Sequence, residues 1–210
     1  MSKIIGHNSP LTVAVVGPHY AGKSTLSRLL QKELDFRIFQ EEWWKDPFKD
    51  MQPRDYFRSE IWYMQQSISS MLAAEKLNQE GQNVILDTFI YSNLIFAETK
   101  MKKEEFVFFK ELLSLIAPRL PLPDIVIYLY ADPKYLYETH RMRRVEAGTG
   151  PSSDKDTPYD WYEQICQLND KYFSNWNQTP LLKMDVQHTD FRTEENFTKM
   201  LEDIRKLVEK

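Results

Sequence analysis

The sequence predicts an α/β fold built on a five-stranded parallel sheet, and two patterns indicate it. Short apolar runs alternate with segments whose apolar residues recur at helical spacing, which is typical of a parallel sheet covered by helices. The first apolar run leads into a glycine-containing loop and then into a helical pattern, the order of a strand, a phosphate-binding loop and a helix. The 210 residues show no internal repeat and no break in composition, so we expect a single domain over residues 1–210.

Each predicted strand is a short apolar run, and the first is rich in β-branched residues, as a buried parallel strand should be. The predicted strands span 11–17, 36–40, 83–86, 124–130 and 180–184. Helical spacing predicts helices over 26–34, 54–79, 103–117, 132–147 and 159–176, and a last helix from about 194. The 54–79 helix carries one apolar stripe that we expect in the core rather than at a cofactor: Phe57, Ile61, Met64, Ile68 and Met71.

The loop after the first strand matches the pattern glycine, four residues, glycine, lysine, then serine or threonine. It reads Gly17-Pro18-His19-Tyr20-Ala21-Gly22-Lys23-Ser24-Thr25, and we expect it to bind the phosphates of ATP. The two glycines let successive N–H groups point inward around the phosphates, and the helix that begins near Lys23 adds its positive end. Lys23 should reach the β- and γ-phosphates, and the Ser24 hydroxyl should ligate Mg²⁺. We expect Thr25 to be a first-turn helix residue and His19 to be a permissive position.

Composition and charge exclude several other classes of protein. A net charge of −4 argues against a nucleic-acid binder held by a general basic surface. The single cysteine, Cys166, excludes an intrachain disulfide and a thiolate-rich metal site, and we expect it to be a small buried hydrophobe. No apolar run approaches the length of a membrane span, and the polar first ten residues do not resemble a signal peptide. These features favour a cytoplasmic protein.

The phosphate-binding loop alone leaves GTPases, ATP-driven motors and small-molecule kinases open. The chain has no Asn-Lys-x-Asp motif of a GTPase, and the strand that ends at Leu86 is followed by Asp87 alone rather than by the Asp-Glu pair of many motors. A basic cluster, Arg141, Arg143 and Arg144, precedes a segment rich in glycine, serine and aspartate. Such a cluster is either a solvated helix end or a lid over the phosphates, and we favour a lid over about 141–156.

Five segments, in order and spacing, resemble the deoxyribonucleoside kinase family, especially its bacterial deoxyadenosine/deoxyguanosine kinase branch. The resemblance runs from Val13 to about Asp185 and implies a three-layer P-loop kinase fold with an Arg-rich lid. It further implies ATP, Mg²⁺, a deoxyribonucleoside phosphorylated at its 5′-hydroxyl, and a homodimer. The segments are Gln40-Glu41-Glu42-Trp43-Trp44-Lys45-Asp46-Pro47, Asp87-Thr88-Phe89-Ile90-Tyr91-Ser92-Asn93-Leu94-Ile95-Phe96-Ala97, Pro123-Asp124-Ile125-Val126-Ile127-Tyr128-Leu129, the cluster at 141–146, and Tyr172-Phe173-Ser174-Asn175-Trp176.

The resemblance implies roles for acidic residues at two strand ends. Glu41 would be the general base, and the neighbouring Glu42 leaves that assignment open by one residue. Asp87 would contribute to substrate binding and hold Mg²⁺ through water, with Ser24 as the direct ligand. It could also cap the segment that follows it, and both roles could hold at once.

Other residues are implied for the lid and the sugar. Arg143 would neutralise charge on the transferring phosphoryl group, with Arg141 or Arg144 assisting. Glu146 and Tyr56 resemble the residues that bind the sugar 3′-hydroxyl, although both fit ordinary surface residues equally well.

Two departures from the family pattern bear on activity and substrate. Thr88 stands where the family has an arginine. The family's base-reading glutamine has no clear counterpart, since counting along the helix gives Ile61 or Met64, and Gln65 is the candidate one turn after Ile61. Two alternatives therefore remain open: a thymidylate-type nucleoside monophosphate kinase, which Arg54 and Arg58 keep possible, and a non-catalytic nucleotide-binding kinase homologue.

Overall fold

The computed structural model describes residues 9–87, 89–146 and 158–209, with the backbone alone for 144–146. In these ranges five strands form one sheet in the order β2-β3-β1-β4-β5, and each neighbouring pair is parallel. The predicted strands are confirmed to within one residue at either end. The strands are β1 (Thr12–Val16), β2 (Arg37–Phe39), β3 (Val84–Leu86), β4 (Ile125–Tyr130) and β5 (Leu181–Asp185).

Seven α-helices lie within the described ranges, and six of them correspond to the predicted helices. The sequence did not predict the short helix α3, because its eight residues are too few for helical periodicity to stand out. The helices are α1 (Lys23–Leu34), α2 (Tyr56–Gln79), α3 (Asn93–Lys100), α4 (Lys103–Ile116), α5 (Pro133–Glu146), α6 (Tyr159–Phe173) and α7 (Glu194–Val208).

Helices cover both faces of the sheet, which gives the three predicted layers. In β1, Val13 and Val15 pack on the side of α1 and α7, whereas Ala14 and Val16 pack on the side of α2, α3 and α4. This alternation follows from the period of two along a strand. The apolar stripe of α2 contributes to the second of these cores, as predicted, and Cys166 is buried in the first, as predicted.

The topology brings the carboxyl ends of three adjacent strands to one edge of the sheet. The glycine loop follows β1, Glu41 follows β2 by two residues, and Asp87 follows β3 directly. Open α/β sheets bind their ligands at this edge. Among the residues described, no helix combines the length and apolar character needed to cross a membrane.

Candidate active site

The glycine loop requires its two glycines for steric reasons. Gly17 has φ +142°, and a Cβ there would collide with the carbonyl oxygen of Leu129 on β4. Gly22 has φ +92° and directly precedes α1, and its Cβ would lie 3.1 Å from the ring of Phe191. Only glycine adopts these conformations without strain. The loop therefore packs tightly between β4 and the segment that precedes α7, with its open side towards the N-terminus of α1.

Lys23 lies folded over the loop that it follows. Its Nζ donates hydrogen bonds to the carbonyl oxygens of Gly17, at 2.9 Å, and Pro18, at 3.0 Å. Burial lowers the pKa of the ammonium group, while the negative charges of Asp87 and Glu41 oppose that shift. A cation at this position, beside backbone N–H groups at a helix N-terminus, is suited to binding phosphate.

Ser24 and Asp87 place two oxygen-bearing side chains next to Lys23. Ser27 Oγ donates a hydrogen bond of 3.3 Å to the Asp87 carboxylate. Asp87 is only 6% exposed, and burial raises its pKa, an effect that its interactions with Ser24, Lys23 and Ser27 partly reverse. Asp87 does not cap α3, which begins at Asn93 after Ser92.

The Ser24 and Asp87 oxygens fit Mg²⁺, a hard cation that prefers oxygen ligands and retains several waters or phosphate oxygens. Among the described residues, no group of three or more His, Cys, Asp or Glu side chains could hold a metal ion by itself. A magnesium ion here would therefore depend on nucleotide phosphates for further ligands.

Glu41 faces the same space as Lys23 and Asp87, whereas Glu42 does not. Burial raises the pKa of Glu41, and the positive charges of Lys23 and Lys100 partly offset that shift. The Glu42 carboxylate instead accepts two hydrogen bonds of 2.8 Å from Lys45. It lines a separate groove on the outer side of β2.

A cavity of about 760 Å³ opens between the glycine loop, the ends of β2 and β3, and helices α2 and α3; we call it the Glu41 cavity. This volume is in the range of small-ligand sites. Its walls combine aromatic rings with many charged side chains, which suits a ligand with a flat ring and charged or polar groups. The wall residues beyond the loop include Trp43, Trp44, Arg54, Glu60, Tyr63, Phe96 and Lys100.

Two ion pairs border this cavity. Arg54 Nη2 lies 2.9 Å from Asp46 Oδ2, and the fully buried Asp46 carboxylate also accepts a hydrogen bond of 2.8 Å from Ser59. Lys100 Nζ lies 3.5 Å from Oε1 of Glu60, which is 2% exposed. Burial is the main cause that raises the pKa of Glu60 to about 7. Sequence reasoning missed Glu60 and Lys100, although a glutamate on the inner face of a core helix is itself a signal of a functional site.

A second cavity, of about 540 Å³, lies on the other side of the glycine loop; we call it the Phe191 cavity. It is bounded by Tyr20 and Thr25, by α5, and by residues 186–192 between β5 and α7. The Arg143 guanidinium group reaches this cavity from α5 and lies 5.9 Å from the centre of the Tyr20 ring. No sequence pattern pointed to residues 186–192, which lie far from the loop along the chain.

The structure does not bring every predicted residue into these cavities. Gln65 is exposed and lies outside the Glu41 cavity, in the same groove that Glu42 lines. Tyr56 is exposed at the start of α2, with its ring 5.3 Å from the Arg54 guanidinium group. Arg141 is exposed and lies 5.7 Å from the ring centre of Tyr137, which lines neither cavity. Thr88, the side chains of Arg144 and Glu146, and residues 147–156 of the predicted lid lie outside the described residues.

His19 is packed rather than loosely held, in contrast to the expectation of a permissive position. Its ring lies 5.2 Å from the ring of Phe96 and 5.3 Å from that of Trp161, with which it stacks. Burial and the nearby charge of Lys23 lower its pKa to about 3, so the ring is neutral at physiological pH. His19 therefore ties the loop to α3 and α6 through aromatic contact.

The fold and the site define a phosphotransferase of the P-loop kinase type. The family model "Deoxynucleoside kinase" matches residues 13–209, and the chain belongs to this family. The expected resemblance is thereby confirmed, and so is the expected class of reaction, phosphoryl transfer to a hydroxyl group of a deoxynucleoside.

Individual relatives agree with the family assignment. The chain is 28% identical over 143 residues to deoxyguanosine kinase of Bacillus subtilis, covering 65% of this chain and 69% of the relative. It is 26% identical over 204 residues to deoxyadenosine/deoxycytidine kinase of the same organism, covering 91% of this chain and 89% of the relative.

Solved structures confirm the fold. Deoxyadenosine kinase from M. mycoides with the products dCMP and dCDP superimposes with a TM-score of 0.74 and 20% identity, covering 93% of this chain and all of that one. The same enzyme with bound dATP gives a TM-score of 0.69 and 19% identity, covering 91% and 98%. At this level of identity the likeness concerns the three-layer fold.

Proposed function

We propose that this chain transfers the γ-phosphoryl group of ATP, with Mg²⁺, to the 5′-hydroxyl of a deoxynucleoside bound in the Glu41 cavity. The observation that carries the proposal is that Lys23, on the phosphate-binding loop, and Glu41, at the end of β2, line one cavity of nucleoside size. A phosphate-binding cation and a carboxylate base on either side of one space are what transfer to a hydroxyl requires.

In the proposed reaction, Glu41 accepts the proton of the 5′-hydroxyl as its oxygen bonds to the γ-phosphorus. The bond between that phosphorus and the bridging oxygen of ADP breaks, and the products are ADP and the deoxynucleoside 5′-monophosphate. Lys23 leaves its carbonyl partners to neutralise the β- and γ-phosphates, while Ser24 and Asp87 would hold Mg²⁺, which supplies further positive charge there when bound. The raised pKa of Glu41 makes it a stronger base than a solvated glutamate.

The nucleoside part of ATP would occupy the Phe191 cavity, because the phosphate loop separates this space from the Glu41 cavity. Arg143 reaches the loop from this side and would approach the transferring phosphoryl group. Arg141 or Arg144 would assist it as part of the lid predicted over 141–156.

A nucleoside acceptor fits the Glu41 cavity better than a nucleoside monophosphate does. The monophosphate alternative rested on Arg54 and Arg58 as partners for an acceptor phosphate. Arg54 is already paired with the buried Asp46, and Arg58 pairs with Asp55 at the surface. The non-catalytic alternative is disfavoured because Lys23, Glu41 and Asp87 share one cavity.

A homodimer is part of this proposal, and α4 is its suggested interface. Three large apolar side chains on this helix are exposed, namely Val107, Phe108 and Leu115. The Phe108 ring also lies 6.1 Å from that of Phe57 on α2, which extends the apolar surface. A second copy of the chain would remove this surface from water.

Two matched variants test the assignment of the base. Glu41→Gln keeps size and hydrogen bonding but removes the basic oxygen, so kcat should fall by about 10²-fold or more, with little change in nucleoside KM. Glu42→Gln is the control, because its carboxylate binds Lys45 outside the cavity, and it should stay within about 3-fold of wild type. The reverse order of effects would assign the base to Glu42.

A further inference from the structure

The cations around the Glu41 cavity differ in how far they are committed to partners. Arg54 forms an ion pair with the Asp46 carboxylate, which also accepts a hydrogen bond from Ser59. Lys49 donates a hydrogen bond of 2.9 Å to the carbonyl oxygen of Trp44. Arg28 lies near Asp87, beside the proposed Mg²⁺ site. Lys23 binds the carbonyl oxygen of Gly17 in the phosphate-binding loop. The remaining cation among the residues lining this cavity is Lys100.

Lys100 is the last residue of α3, and its side chain lines the cavity from this helix rather than from the phosphate-binding loop. Its Nζ lies 4.8 Å from the centre of the Phe96 ring and 28% of its side chain is exposed. Its distance of 3.5 Å to Glu60 Oε1 is longer than a charge-assisted hydrogen bond, which is about 2.7–2.9 Å. The ammonium group is thus anchored by Glu60 yet retains N–H donors for a further partner.

The charge of Lys100 also acts on Glu41, the proposed base. Two lysines that line the cavity, Lys23 on the loop and Lys100 on α3, therefore act electrostatically on the same carboxylate. During transfer the phosphoryl group moves away from the loop and towards the 5′-oxygen beside Glu41. A cation on that side is needed to stabilise its negative charge on arrival.

We propose that Lys100 is a catalytic residue that binds the oxygens of the phosphoryl group as it bonds to the 5′-oxygen, and that Glu60 positions it. This inference rests on the proposed function. The phosphorus–oxygen bonds made and broken are those given above; Lys100 keeps its protons and contributes charge alone. This role for Lys100 accords with the sequence, because the residue directly after Asp87 is Thr88 and carries no positive charge.

The competing explanation is that Lys100 serves only to neutralise the buried Glu60. Three variants separate the two roles: Lys100→Met, Glu60→Gln and the double variant. If Lys100 acts on the phosphoryl group, Lys100→Met lowers kcat at pH 8 by about 10²-fold with nucleoside KM within about 3-fold, and the double variant is equally slow. If Lys100 only neutralises Glu60, removing both charges together restores kcat to near wild type, and the proposal is overturned.

Binding gives a second readout that does not depend on turnover. Titration calorimetry would use the deoxynucleoside that wild type phosphorylates fastest and its 5′-monophosphate. We expect Lys100→Met to weaken monophosphate binding by about 10-fold and nucleoside binding by less than about 2-fold. Equal losses for the two ligands would contradict a phosphoryl contact.

Two controls keep these outcomes distinct. Lys103→Met removes an exposed lysine at the start of α4 and should leave kcat unchanged. ATP binding by each variant checks that the fold is intact. The double variant removes both members of the Lys100–Glu60 pair, so it leaves no unpaired buried charge that could disturb folding. If wild type phosphorylates no nucleoside, the proposed function fails and this inference with it; if wild type is active and Lys100→Met matches it, only this inference fails.

Discussion

The buried carboxyl group of Glu60 makes the stability of the ligand-free protein depend on pH. The substitution Glu60→Gln should remove this pH dependence. Its pKa is about 7 in the folded chain, compared with an ordinary value of 4.5. Between these two pH values the folded state keeps a proton that the unfolded state has lost. Stability therefore falls as pH rises through this window, and the decrease is complete only above the folded pKa of Glu60.

The size of the effect follows from the shift. A difference of about 2.5 pKa units at about 1.36 kcal/mol per unit corresponds to about 3 kcal/mol. Because Glu60 is 2% exposed, solvent screens this cost little. Glu60→Gln removes the titrating group, so its free energy of unfolding relative to wild type should increase by about 3 kcal/mol between pH 4.5 and pH 8.

Urea unfolding followed by tryptophan fluorescence measures this difference directly, since the chain contains 5 tryptophans. Glu75→Gln is the matched control, because Glu75 is exposed on the same helix, α2. Its stability should follow that of wild type at every pH. If Glu60→Gln also ran parallel to wild type across this range, the carboxyl group would not be desolvated as the structure indicates.

Three further predictions concern the glycine loop, Arg143 on α5 and the α4 surface. Gly22→Ala and Gly81→Ala should each cost about 1 kcal/mol of stability, since both residues have positive φ. Only Gly22→Ala should weaken ATP binding in a calorimetric titration, because Gly22 lies in the phosphate-binding loop and its new Cβ would press against Phe191. Gly81 lies outside the loop, and a Cβ there would meet nothing within 4 Å. Arg143→Met should lower kcat by about 10²-fold and ATP affinity by less than about 5-fold, as expected for charge stabilised in the transition state; equal losses would indicate simple ground-state binding. Leu115→Asp should convert the proposed dimer to a monomer in sedimentation experiments, and a wild-type monomer would refute the proposed interface.

The sequence predicted best what is encoded by contiguous residues. The strands, six helices and the glycine loop each depend on a local pattern, and their positions were confirmed. Gln65 shows the limit of this reasoning, because successive residues on a helix are rotated by about 100°. Its neighbour Met64 packs in the core, whereas Gln65 is exposed outside the Glu41 cavity.

Contacts between distant segments could not be predicted from local pattern. Glu60 and Lys100 are 40 residues apart and meet only because α2 packs against α3, a helix that the sequence did not reveal. The Phe191 cavity likewise joins the loop to a segment near the other end of the chain. The close packing of Gly22 against Phe191 follows from this tertiary arrangement, although the loop motif itself was recognisable.

A panel of phosphate acceptors tests the central claim most directly. Deoxynucleosides and their 5′-monophosphates are each incubated with ATP and Mg²⁺, and ADP release is measured for wild type and for Lys23→Ala, which lacks the phosphate-binding ammonium group. We predict that wild type phosphorylates at least one deoxynucleoside, that the product is its 5′-monophosphate, and that Lys23→Ala shows no detectable transfer. Phosphorylation of monophosphates alone, or turnover by Lys23→Ala near that of wild type, would contradict the account.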